Sequence, residues 1–182
     1  MILSYLWEAP LNSKLKTKTS KLACIALGSN LGDSAKILGA ALARLQAFSD
    51  RPILKSSLWQ TTPVACPPGS PLFLNAVAAL TPLRGETPAS LLKKLRDVEN
   101  EFGRLPKKVL NEPRPLDLDL IAFGDELCDS PELILPHPRA HLRRFVLQPL
   151  NEIASVLILP GQGKTVAELL ALLPAGESVT RI

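Results

Sequence analysis

Near the middle of the chain, Pro113-Arg114-Pro115-Leu116-Asp117-Leu118-Asp119-Leu120-Ile121 alternates leucine with aspartate behind a pair of prolines. Nothing else in the sequence narrows the fold as much. Proline lacks the N–H a helix needs and pushes the residue before it towards extended backbone. The side-chain period of a strand is two, so Leu116, Leu118 and Leu120 point to one face and Asp117 and Asp119 to the other. One face is a core face, and the opposite face carries two like charges side by side, which is costly without a counter-charge. Two readings follow: an edge strand with solvated acids, or a pair that holds a cation. Arg114 can supply part of the counter-charge. A divalent ion suits the pair better, because Mg²⁺ is a hard ion commonly held by one or two carboxylates, with substrate phosphates completing its shell.

The remaining chain supplies a frame for that strand. Its 182 residues suit one domain with a sizeable core. Met1 to Trp7 is apolar but short, and Lys14, Lys16, Lys18 and Lys21 follow it. A secretory signal carries its positive charge ahead of the apolar run, so residues 1–20 read as an N-terminal extension and 21–182 as the domain. No later run is long and apolar enough to span a membrane. Cys24, Cys66 and Cys128 are scattered and form no paired motif, and His137 and His141 are the only histidines. A disulfide framework, a zinc site and a multi-histidine metal site are excluded, and the reducing cytoplasm is the expected compartment. The net charge of +4 fits a site for a small anion as well as a nucleic-acid surface.

Leu22 to Leu27 is a continuous apolar run stopped by Gly28, and reads as a central strand. Gly28-Ser29-Asn30-Leu31-Gly32 is the turn after it, either a phosphate cradle or a plain strand-to-helix turn. Asp33 or Ser34 caps a helix of roughly 35–48. Pro52–Gln60 reads as a second strand, and the proline-rich 61–71 as a stiff loop. Phe73–Leu80 is the third strand, with Asn75 on the face of Phe73 and Val77; its amide needs partners, either nearby backbone or a heterocycle's edge. Thr87-Pro88 starts a helix that Gly103 ends near Phe102, with Arg96 and Glu99 one turn apart as a surface ion pair. After the Asp strand come a short strand at Leu133–Leu135, the basic stretch Pro136–Arg144, a packed helical turn at Phe145–Leu150, and a peripheral tail with a last helix near Thr165–Leu173. The order βαββαβ with C-terminal additions predicts an α+β, ferredoxin-like fold: an antiparallel sheet with helices on one face.

Two basic segments, 104–114 and 137–144, flank the Asp pair, and an Asn stands between two separated phenylalanines. Arginines with Mg²⁺ on a polyphosphate suit phosphoryl transfer, and an aromatic pair with an Asn suits a flat heterocycle. From Leu22 to about Ala154 the chain resembles the 6-hydroxymethyl-7,8-dihydropterin pyrophosphokinase family. The resemblance rests on Gly28-Ser29-Asn30-Leu31-Gly32, Thr61-x-Pro63-Val64, Phe73-Leu74-Asn75-Ala76, Glu99 with Gly103-Arg104, Pro113-Arg114-x-Leu116-Asp117-Leu118-Asp119, Pro136-His137 and Arg143-x-Phe145, in that order. It implies transfer of pyrophosphate from ATP to the pterin's primary alcohol, in the cytoplasm, by a monomer that binds neither nucleic acid nor membrane. Asp117 and Asp119 would bind two Mg²⁺ ions. Arg104, Arg114, His137 and Arg143 would hold the phosphates, with Arg96 and Glu99 at the nucleotide. Asn75 would read the pterin edge, Phe73 and Phe145 would sandwich the ring, and the backbone of Thr61, Thr62 and Val64 would complete its hydrogen bonds.

The chain departs from the family pattern at Leu110, Asn111 and Glu112, where the family carries a basic residue, Trp and Gly, and at Pro106 and Ala65. These departures predict weaker ATP binding or slower closure, and Pro106, Pro113 and Pro115 predict a restricted 104–112 loop. Two rivals remain. A degenerate member would bind pterin or nucleotide without turnover. An RNA-binding ferredoxin-like module would need stacked sheet aromatics in a recognisable motif, which is missing, and its Asp pair would repel phosphate.

Overall fold

The structure is a computed structural model that describes residues 22–64, 66–104, 112–176 and 178–182. The extension 1–20, the departures at Ala65, Pro106, Leu110 and Asn111, and most of the 104–112 loop lie outside the described residues.

Strand β1 (Ala23–Ser29) is central, as its continuous apolar run requires. It pairs antiparallel with β4 (Phe73–Leu80) on one side and β5 (Asp117–Phe123) on the other. Beyond β4 lie β2 (Leu54–Lys55) and β3 (Trp59–Thr61), and β8 (Val179–Arg181) adds to the outer edge of β3. The order β5-β1-β4-β3 is that of a ferredoxin-like sheet, and every pairing is antiparallel.

The expected second strand is broken in two. Ser56 N donates to Val77 O, but its hydroxyl accepts from Val77 N, so a side chain replaces one rung of the ladder. Ser57 then turns away from the sheet, and its N–H and Oγ bond the carboxylate of Glu152. A small polar pair inside an apolar strand pattern marks the break.

On one face, α1 (Ser34–Leu45) and α2 (Pro88–Glu101) cover the sheet. Asp33 caps α1 by accepting from Lys36 N, and Thr87 caps α2 by accepting from Ser90 N, with Pro88 at the first helical position. Leu38, Ala41, Leu45, Leu91, Leu95 and Val98 pack on Ile25, Leu27, Leu116, Leu118, Leu120 and Phe123.

The expectation of helices on one face only is corrected. Helix α3 (Arg144–Ala154) and α4 (Val166–Leu172) cover part of the opposite face, with Val146, Leu147, Leu150, Val166 and Leu169 against Cys24, Val77, Ala79 and Ile121. The tail is therefore not peripheral: Val166 is fully buried, and Thr165 and Glu168 form a capping box that starts α4. Helix α3 extends the expected helical turn to three turns and runs through Pro149; its strong apolar stripe outweighs the missing N–H. A two-strand ribbon, β6 (Cys128–Asp129) with β7 (Ile134–Leu135), follows β5. Among the described residues no helix is long and apolar enough to cross a membrane.

Candidate active site

The part of the second face that α3 and α4 leave uncovered is the floor of a cavity of about 750 Å³. That size and concavity suit small-molecule binding. Every residue singled out from the sequence lines it, so the structure brings all fourteen together.

Gly28 lies at the centre of the floor. It pairs with Asn75 on one side and Asp117 on the other. A Cβ there would stand 3.3 Å from Asn75 Oδ1 and within 4 Å of Phe73 and Asp117, so only a hydrogen leaves the floor open. The sequence suggested that Gly28 stops the strand and opens the turn; the strand instead runs through it to Ser29, and its cross-strand partners, invisible locally, give it this role.

Asn75 is buried and donates from Nδ2 to Thr61 Oγ1 at 2.8 Å. Thr61 thus acts through its side chain, rather than only through its backbone. The bond fixes the amide plane and leaves Oδ1 over Gly28. Phe73 and Phe145 each carry a guanidinium on one side: Arg114 lies 5.6 Å from the Phe73 centroid and Arg143 5.4 Å from that of Phe145. Thr62 and Val64 are exposed on the rim.

At the other end, β5 is an edge strand, yet its acids are not simply solvated. Asp117 accepts from Arg104 Nη1 at 2.7 Å and from Arg114 Nη2 at 2.6 Å. Among the described residues Asp119 pairs only with Arg143, at 3.6 Å, and its side chain is 39% exposed. Burial, and then the neighbouring Asp117, push the Asp119 carboxyl above the usual carboxylate range; His137, Arg143 and Arg114 pull it back. A second cation would relieve this strain. Among the described residues, no three His, Cys, Asp or Glu gather to hold a metal unaided. Two carboxylates on one strand face offer hard oxygen donors, and this donor set fits Mg²⁺ completed by substrate oxygens.

Glu99 corrects the expected surface pair with Arg96. It is 7% exposed, and its Oε1 accepts from Leu118 N at 2.7 Å and from Arg104. It ties α2 to β5 and steadies the guanidinium that meets Asp117. Burial pushes its carboxyl up to about 7, against the pull of Leu118 N–H and Arg104. Arg96 instead reaches the Glu132 carbonyl at 3.4 Å, on the exposed rim.

His137 N donates to Ile121 O, which anchors it to the end of β5. Its Nδ1 accepts from Arg139 N at 3.2 Å, so the neutral ring carries its proton on Nε2. Burial lowers its pKa while Asp119 raises it. Arg143 is likewise depressed by burial and by Arg139.

The turn 28–32 is a strand-to-helix connection: Asn30 N donates to Arg114 O, Ser34 N to Gly32 O, and the Asp33 side chain accepts from Lys36 N. The carbonyl of Glu112, one of the departures, accepts from Arg114 Nη1 at 3.2 Å.

Comparison with known proteins agrees with this geometry. Residues 24–155 match the family model described as 7,8-dihydro-6-hydroxymethylpterin-pyrophosphokinase (HPPK). The 2-amino-4-hydroxy-6-hydroxymethyldihydropteridine pyrophosphokinase of Haemophilus influenzae is 40% identical over 139 residues, 76% of this chain and 84% of that protein. The enzyme of the same name from Pseudomonas aeruginosa is 39% identical over 151 residues, 82% of this chain and 90% of the relative. Among solved structures, wild-type Plasmodium falciparum HPPK-DHPS with pteroate superposes with a TM-score of 0.67 at 13% identity, over 83% of this chain and 44% of that one, a likeness of fold. The chain belongs to the 7,8-dihydro-6-hydroxymethylpterin-pyrophosphokinase family, whose members are pyrophosphokinases of folate synthesis.

Proposed function

We propose that residues 21–182 act as one domain that transfers pyrophosphate from ATP to the hydroxymethyl group of 6-hydroxymethyl-7,8-dihydropterin, releasing AMP. The observation that carries this reading is the single row Asn75–Gly28–Asp117 across three neighbouring strands, which sets a heterocycle-reading amide and an acid pair in one cavity. Asn75 Oδ1 accepts from the pterin edge, held in place by Thr61. Phe73 and Phe145 stack on the ring, and backbone around Thr62 and Val64 bonds its rim.

The hydroxyl oxygen attacks the β-phosphorus. The bond from that phosphorus to the α,β-bridging oxygen breaks, and AMP leaves. A loose transition state places little demand on a general base, so the protein's work is positioning and charge. Arg104, Arg114 and Arg143 bind the phosphates as the ligand's oxygens replace Asp117 and Asp119 at their guanidinium groups. His137 donates Nε2–H to the same oxygens. Arg96 lies at the nucleotide, and Glu99 acts through Arg104. Two Mg²⁺ ions held by Asp117 and Asp119 would supply charge neutralisation along the polyphosphate. The compartment is the cytoplasm and the working unit is a monomer, with no nucleic-acid or membrane partner.

Product analysis with ATP, Mg²⁺ and the pterin tests the reading. Pterin-dependent AMP is the expected result. ADP in its place would identify an ordinary kinase and move the attack to the γ-phosphorus. Pterin binding without any nucleotide turnover would mark a degenerate member.

A further inference from the structure

We infer that Asn30 is a positioning residue that fixes Arg114 at the phosphate end of the cavity. Asn30 is 4% exposed and contributes nothing to the cavity wall. Its backbone and side chain are nevertheless committed to the segment that delivers Arg114. Asn30 N donates to Arg114 O at 3.2 Å, and Asn30 Oδ1 accepts from Arg114 N at 2.9 Å. One residue thus grips both backbone polar groups of Arg114, as a strand partner would, at a place where Arg114, flanked by Pro113 and Pro115, lies in no strand.

The side chain Asn30 holds in this way has an exacting task. Arg114 Nη2 meets Asp117 Oδ2 at 2.6 Å, Nη1 meets the Glu112 carbonyl at 3.2 Å, and the guanidinium lies over the Phe73 ring. Its Nε is buried and has no hydrogen-bond partner. With the backbone fixed, few rotamers satisfy these contacts together. With the backbone released, Arg114 follows Asp117 alone. The third polar group of Asn30, Nδ2, reaches the Pro71 carbonyl at 3.4 Å, so the same amide also touches the loop that precedes Phe73.

The kinetic half of the test rests on the pyrophosphokinase reading; the structural half does not. Asn30→Ala removes the acceptor. Asn30→Asp keeps an oxygen for Arg114 N, gives up the long bond to Pro71 and places a carboxyl at a buried position. In the parent and in Asn30→Asp the Arg114 amide should exchange slowly with solvent; in Asn30→Ala it should exchange at least about tenfold faster, with the unfolding midpoint still cooperative. An Arg114 amide as fast in the parent as in Asn30→Ala overturns the clamp whatever the activity. In turnover, Asn30→Ala should lower kcat about tenfold or more with the pterin KM within about threefold, and Asn30→Asp should recover most of the loss. Placed on Arg114→Ala, Asn30→Ala should cost little further, since groups that act as a unit are not additive. The same penalty in both backgrounds, or no rescue by Asn30→Asp, overturns the inference. A parent that makes no pterin-dependent AMP overturns the proposed function and leaves the exchange result to decide the clamp.

Discussion

On one face of the sheet, Leu116, Leu118 and Leu120 meet two helices and are almost wholly shut from water. On the other, the residues between them, Asp117 and Asp119, meet arginines and open space. The two sets alternate along one strand, so the closed face holds the open one still. The open face is also only half open: α3 and α4 bury its far part, and the site occupies what they leave. The contrast teaches that rigidity for the acid pair comes from the side of the strand that packs against the helices.

Four substitutions would break or sharpen this contrast. The largest effect is expected for Asp119→Asn. It should lower pterin-dependent AMP formation by at least about a thousandfold, roughly 4 kcal/mol of transition-state stabilisation. Because burial and Asp117 disfavour the charged Asp119, the unfolding midpoint in metal-free buffer should be no lower than the parent's. A variant that unfolds earlier would show the acid to be structural. Leu118→Ala tests the converse: it should cost about 2–5 kcal/mol of stability by leaving a core cavity, read by urea unfolding, while pterin affinity in the still-folded protein changes little.

Thr61→Val is milder. It leaves Asn75 Nδ2 without its partner, and the buried donor should cost about 1 kcal/mol in pterin affinity, roughly fivefold in Kd by fluorescence titration, with ATP binding unchanged. An unchanged pterin Kd would separate Thr61 from the reading of the ring. The smallest effect is a pH slope at Glu99. Its carboxyl keeps a proton up to about 7 in the folded protein and loses it near the ordinary carboxylate value when unfolded. The folded state therefore gains from Glu99 at low pH, and the gain fades as pH rises through about 7. Between those limits the parent's unfolding free energy should fall relative to that of Glu99→Gln. Parallel curves would mean that Glu99 is ionised throughout, held so by Arg104.

What the sequence made legible follows the same division. The leucine–aspartate alternation, the apolar run of β1, β4 with Asn75 inside it, and the Thr87-Pro88 helix start are local patterns, and each stands in the structure where the pattern put it. The site residues were reached through spacing and family resemblance, and the cavity collects them. Features set by distant partners were illegible. Glu99 looks like a surface acid until Leu118 offers its N–H across 19 positions. Asn30 reaches Arg114 across 84 positions, and nothing in Gly-Ser-Asn announces it. The break at Ser56 depends on Val77, and the burial of α4 depends on α3; neither partner lies within one period of the residue it governs.

The row of Gly28 with its two partners has a metric consequence. Neighbouring strands are spaced at about 4.8 Å, so two steps from Asn75 to Asp117 span about 10 Å. The sheet is thus a ruler with marks at both ends, a buried amide at one and a carboxylate between two arginines at the other. Its length cannot be adjusted in small increments, because sliding a strand by one residue would turn Asp117 or Asn75 to the leucine side. On the proposed function, the distance between the ring-reading amide and the acid pair is therefore set by backbone hydrogen bonds, while side-chain changes around the rim alter how tightly a substrate is held.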